Sequence, residues 1–91
     1  MRIPPKVKIG GHTYRIEFVR PTELTEDEAP SGNTNHKTRT IEINTDRHRS
    51  VQEATLFHEV FHTMNGELSE EIVEFLSESM YAFLKENGML R

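Results

Sequence analysis

The sequence predicts an α+β fold, in which a small antiparallel sheet of two hairpins is followed by two antiparallel helices. Three observations lead there. Apolar and polar residues alternate from Lys6 to Val19 on both sides of Gly10-Gly11. β-Branched residues flank a polar centre between Asn33 and Asp46. From Ser50 onward the apolar residues recur at helical spacing almost to the C-terminus. With strands first and helices last, the expected arrangement has the helix pair covering one face of the sheet.

In the first segment, "KVKIGGHTYRIEFV", the Gly-Gly pair marks a two-residue turn with positive φ, so Val7, Ile9, Tyr14, Ile16 and Phe18 share one sheet face. From Arg20 to Gly32 two prolines and a knot of acids break all periodicity, which predicts a loop. "NTNHKTRTIEINTD" then predicts a second hairpin that turns at His36 to Arg39 and returns over Thr40 to Asn44, with Ile41 and Ile43 facing the core. Ser50 with Glu53 three residues on is a capping-box pattern opening a helix through about Met64, and Asn65-Gly66 stops it. Ser69 caps a second helix from Glu70 to about Asn87. Its Ile72, Val73, Leu76, Met80, Phe83 and Leu84 form an apolar stripe, and Gly88 ends it.

A chain of 91 residues closes one modest core, so residues 1–91 are expected to form a single domain. Hydrophobic residues at 34% and charged residues at 29% fit a globular chain and exclude disordered and collagen-like classes. No segment has the length and apolarity of a membrane span, and "MRIPPKVKIGG" lacks the apolar stretch of a signal peptide, so no membrane association and a cytoplasmic location are expected. The net charge of -4 without a basic cluster gives no footprint for nucleic acid. There is no cysteine, which removes disulfides, thiol catalysis and thiolate metal sites, and leaves His, Asp and Glu as the strong ligands.

Within the first helix stands His58-Glu59-Val60-Phe61-His62, an HExxH pentad. Residues four apart share a helix face, so the two imidazoles can meet on one zinc ion while Glu59 sits at the rim of that site. Zinc lowers the pKa of a bound water toward ~7, and a neighbouring carboxylate can take the proton as the water attacks a carbonyl. Glu59 is therefore the expected general base. Shuffling these residues would produce the pentad in roughly 3% of cases, so context has to raise it. Leu56, Phe57, Val60 and Phe61 surround the motif, and buried histidines and a buried glutamate are costly without a partner such as a metal.

Such a site needs a third protein ligand and an open fourth position. No histidine follows His62, so an acid of the second helix has to serve. At about 100° per residue Glu70 falls beside Val73, Ser77 and Leu84 at one edge of the stripe, Glu71 at the opposite edge and Glu78 outside. Glu70 is the expected ligand, Glu71 the runner-up, and Glu74, one turn on, is placed to orient a ligating histidine. Without the pentad upstream, the same acids would read as a solvated helix N-terminus.

"TLFHEVFHTMNG" followed by "LSEEIVEFLSESMYAFLKEN" resembles the HExxH and downstream glutamate helix of the small phage and prophage zincin-like metallopeptidases related to the ImmA/IrrE group. Glu70, Val73 and Glu74 match that group's third-ligand pattern, and "KIGGHTYRIEFV" with "GNTNHKTRTIEIN" is similar to the sheet preceding the motif in its short members. The resemblance implies a minimal zincin-like domain and a zinc-dependent peptidase with an HExxH plus Glu site acting on a protein or peptide. The spacer from His62 to Glu70 is shorter than in many gluzincins, and the second domain of larger members is not in this sequence.

In that layout Thr40 to Asn44 is expected to lie along the cleft and offer its backbone to an extended substrate. Tyr81 and His36 are candidates to face a developing oxyanion, with packing or surface roles as the simpler reading, and His12 and His48 read as surface residues. Two other functions fit the same residues: a non-catalytic phage or regulatory binding module that keeps the fold, and a zinc hydrolase of non-peptide amides.

Overall fold

The computed structural model describes residues 1–20 and 31–90. The expected loop from Arg20 to Gly32 falls almost wholly on residues 21–30, outside the described residues. The elements are β1 (Lys6–Ile9), β2 (His12–Val19), β3 (Gly32–Asn35), β4 (Thr40–Asn44), α1 (Arg49–Met64) and α2 (Glu70–Glu86), an α+β fold.

Gly10 at φ 58° and Gly11 at φ 83° make the β1–β2 turn, both in the left-handed region that a type I′ hairpin requires. The β3–β4 turn is held by Asn35, whose Oδ1 accepts from the backbone N–H groups of Lys37 at 3.0 Å and Thr38 at 3.2 Å.

The two hairpins join differently from the expected all-antiparallel sheet. The strand order is β1-β2-β4-β3, and β4 runs parallel to β2, so the sheet is mixed. Alternation alone does not separate parallel from antiparallel neighbours, but composition explains which strand goes inside. β4 carries Ile41 and Ile43, both fully buried, and takes the interior, while the polar "GNTN" of β3 takes the edge.

Ile9, Tyr14, Ile16, Ile41, Ile43 and Leu56 form the core, with Val7, Val60, Ile3 and Met1 packed around it. Phe18 follows the alternation but is 44% exposed, so the covered part of that face ends before it.

The helices do not share the sheet as expected. α1 packs on β3 and β4 and reaches β1, whereas α2 packs chiefly on α1, giving the layer order sheet, α1, α2. The side of α2 that packs inward is consequently Val73, Ser77 and Tyr81, which lay at one edge of the expected stripe, while Ile72, Leu76, Met80 and Phe83 are exposed.

The helix ends are as expected, with one exception. Ser69 caps α2, its Oγ accepting from the Ile72 N–H at 3.2 Å, and Gly88 at φ 67° follows its C-terminus. The N-cap of α1 is His48 in place of Ser50: His48 Nδ1 accepts from the Ser50 N–H at 3.2 Å. Glu53 is thereby free of a capping-box role and turns into the helix interface.

β3 approaches α1 closely because Gly32 has no side chain. A Cβ there would lie 2.5 Å from Thr55 Cγ2 and 2.7 Å from the Glu42 carbonyl oxygen, and the latter is sheet backbone that cannot rotate away. Gly32→Ala is expected to destabilise the fold by about 1–3 kcal/mol, as overpacking does, measured by urea denaturation.

Candidate metal centre

α1 carries His58 and His62 one turn apart on the side that faces the start of α2, with ring centroids 4.8 Å apart. The tight connection from Asn65 to Ser69 fixes where α2 begins. Asn65 Oδ1 accepts from the Glu67 N–H at 3.0 Å, and the Leu68 N–H donates to the Asn65 carbonyl at 3.2 Å. Glu70, the first residue of α2, is thus set against α1, with Oε1 2.6 Å from His58 Nε2 and Oε2 2.7 Å from His62 Nε2.

One ligand atom from each of His58, His62 and Glu70 lies within 4.8 Å of the other two. Ligands about 2.0 to 2.1 Å from a tetrahedral zinc ion are roughly 3.3 Å apart, so the gaps of 2.6 and 2.7 Å between Glu70 and the two imidazoles need to widen by less than ~1 Å to hold one. Two imidazole nitrogens and a carboxylate oxygen, without sulfur, form a donor set that suits zinc. The imidazoles are about one-quarter exposed and Glu70 about two-thirds exposed, so the site is reachable from solvent. Glu71 is exposed and stands outside the group.

Glu59 is buried, and its Oε1 accepts from Thr34 Oγ1 of β3 at 2.7 Å. Its Oε2 has no protein partner, yet among the described residues no side-chain oxygen sealed from solvent lacks a hydrogen bond. That second oxygen therefore meets solvent, and Glu59 lines the same cleft as the triad. One carboxylate oxygen is anchored to the edge strand and the other is open to a water molecule.

The cleft encloses about 740 Å³ between β3, α1 and α2. Its sheet side is formed by Gly32, Asn33 and Thr34, so β3 borders the site in place of the expected Thr40 to Asn44. β4 is paired on both edges, by β2 and by β3, and has no backbone groups left to offer an extended ligand. Glu74 lines the cleft, but its carboxylate makes no hydrogen bond with either imidazole. His36 is exposed, with Nδ1 3.5 Å from the Tyr14 hydroxyl.

Tyr81 also borders the cleft, but its hydroxyl points into a buried network, donating to Glu53 Oε1 at 2.7 Å and accepting from Lys85 Nζ at 3.3 Å. Arg49 Nε and the Met1 ammonium lie 3.4 Å and 3.6 Å from Glu53 Oε2. Burial pushes the Glu53 carboxyl up, but the Tyr81 hydrogen bond and the two positive charges outweigh it and hold the group below the ordinary carboxylate range. Burial and the Glu53 hydrogen bond raise Tyr81, against the opposing effect of Lys85.

A lowered folded pKa means that Glu53 contributes stability above its unfolded value near ~4.3 and loses it as pH falls through the folded value. Urea denaturation is accordingly expected to show stability dropping on acidification below about pH 5. Tyr81→Phe, which removes a donor from a buried carboxylate, should cost about 1–3 kcal/mol at neutral pH and flatten that drop.

Two of these contacts were not legible in the sequence. Thr34 is 25 residues from Glu59 and meets it only through the placement of β3 at the sheet edge, and Glu53 is 28 residues from Tyr81. Comparison of the chain with protein-family models, with curated proteins and with solved structures gives no match.

Proposed function

We propose that the protein is a zinc-dependent peptidase in which His58, His62 and Glu70 hold the metal and Glu59 is the general base. The observation that carries this reading is the convergence of Glu70, from a different helix, on both histidines of the pentad at 2.6 and 2.7 Å. Bound zinc would supply the Lewis acidity that makes water a nucleophile near neutral pH. The chain's own residues supply the rest. Thr34 fixes Oε1 of Glu59 by donating to it, which leaves Oε2 to take the proton of the attacking water. The proton can then pass from Glu59 to the departing amine, so that the carboxylate is regenerated as the peptide bond breaks.

The polypeptide substrate fits along β3, whose outer edge carries no strand partner among the described residues and which borders the cleft. An extended segment can add to that edge through main-chain hydrogen bonds, which favours a peptide over a compact small amide. The likeness to the small phage and prophage zincin-like peptidases belongs to this proposal, supported by the same side chains and by nothing in the comparisons. A cytoplasmic setting is part of it too, consistent with the absence of cysteine and with no helix among the described residues being long and apolar enough to cross a membrane.

The test is a cleavage screen with a proteome-derived peptide library, run with zinc-loaded wild type and Glu59→Gln side by side. Peptides cut only by the wild type are the expected result. If metal binds and no peptide is cut, the non-catalytic binding module replaces the enzyme.

A further inference from the structure

α2 has an apolar face that the domain does not use. Ile72, Phe75, Leu76, Met80 and Phe83 occupy one side of the helix and are exposed, from 37% at Leu76 to 69% at Phe75. In a chain whose core is small, this is the largest group of exposed apolar side chains on one element. At about 100° per residue its centre lies roughly 140° around the helix from Glu70, so whatever covers it leaves the metal-binding side free.

We infer that this face is the interface of a homodimer in which two α2 helices pack antiparallel. The five side chains expose on the order of 500 Å², at the upper end of what a monomer carries in one patch and most of the ~800 Å² that each partner contributes to a standard interface. Charge sets the direction. Glu70, Glu71 and Glu74 lie in the first turns of α2, Glu78 at its middle and Glu86 at its end, so parallel packing stacks every acid on its own counterpart, whereas antiparallel packing separates the first three from theirs and aligns the helix dipoles favourably.

The spacing is self-complementary about a two-fold axis between Ser77 and Glu78. Ile72 then meets Phe83 of the second copy, and Phe75 meets the small Ser79 and Ala82 of the second copy, large against small. Other occupants fit less well. The segment at residues 21–30, "PTELTEDEAP", has one large apolar residue, Leu24, against four acids. A membrane surface needs basic residues beside the apolar face, and here the flanks carry Glu71, Glu78 and Glu86.

The inference does not rest on the metal site and is tested on the metal-free chain of residues 1–91. Sedimentation across roughly 1 to 100 μM should show a monomer–dimer equilibrium with micromolar dissociation. Phe75→Glu combined with Phe83→Glu alters exposed positions only, so its circular dichroism should match the wild type while dimerisation weakens by at least ~100-fold. The chain has no cysteine, so Ser79→Cys on the face should cross-link under mild oxidation and Glu71→Cys off it should not. A monomer throughout the series, a dimer that survives the double substitution, or equal cross-linking from both cysteine variants overturns the proposal. So does a monomer that co-sediments with phosphatidylserine vesicles, which would assign the face to a membrane.

Discussion

Glu70→Ala is expected to weaken zinc binding by more than the ~10-fold to 100-fold that loss of an outer partner costs, because it removes one of the three proposed protein ligands. Glu71→Ala, one residue on, should leave affinity unchanged. The contrast follows from the geometry: both oxygens of Glu70 lie within 2.7 Å of an imidazole nitrogen, whereas Glu71 is exposed and stands outside the group. The fold should survive either change, since Glu70 is two-thirds exposed and α2 is held by Val73, Ser77 and Tyr81 further along. Competition of each variant against a chelating dye of known affinity reads the difference directly. Equal affinities for wild type and Glu70→Ala would move the third ligand elsewhere.

Glu59→Gln should lower kcat by about 10²-fold to 10⁴-fold, the range that general base catalysis contributes, with zinc stoichiometry and thermal stability close to wild type. The amide keeps a carbonyl oxygen for the Thr34 hydroxyl, so the bond that anchors the side chain to β3 survives, and only the capacity to take a proton is lost. Single-turnover kinetics on a peptide found in the screen separates this from a binding effect. Wild-type turnover in the variant would remove Glu59 from the role of base while leaving the metal ligands untouched.

Local patterns were readable wherever the deciding residues are neighbours in sequence. Gly10-Gly11 announces its turn because few other residues accept two consecutive positive φ angles, and Thr40 to Asn44 is the strand that its alternating isoleucines predict. The i, i+4 histidines needed only a helix, and Glu70 follows from its place at the edge of the α2 stripe beside Val73 and Ser77, the edge that turns inward. What escaped depends on the packing of distant elements. The hydrophobic stripe of α2 reads as core because amphipathic helices usually bury their apolar side, yet α2 packs chiefly on α1, and does so through Val73, Ser77 and Tyr81.

The inward side of α2 is instead chosen by a polar pair, the Tyr81 hydroxyl on Glu53, together with Glu70 on the histidines. The parallel pairing of β2 with β4 was hidden for a related reason: alternation gives a strand's faces but says nothing about its neighbours. With β4 inside the sheet, the polar edge strand β3 brings Thr34 to Glu59, so the same packing choice that the pattern missed also completes the surroundings of the proposed base.

The most direct measurement is zinc K-edge X-ray absorption on the protein loaded with one equivalent of zinc. A site made by His58, His62 and Glu70 should give a shell of nitrogen and oxygen at about 2.0 to 2.1 Å, with multiple scattering from two imidazoles. His62→Ala should reduce that to one imidazole or lose the metal. A shell without imidazole scattering, or one identical in wild type and His62→Ala, would contradict the assignment of this centre.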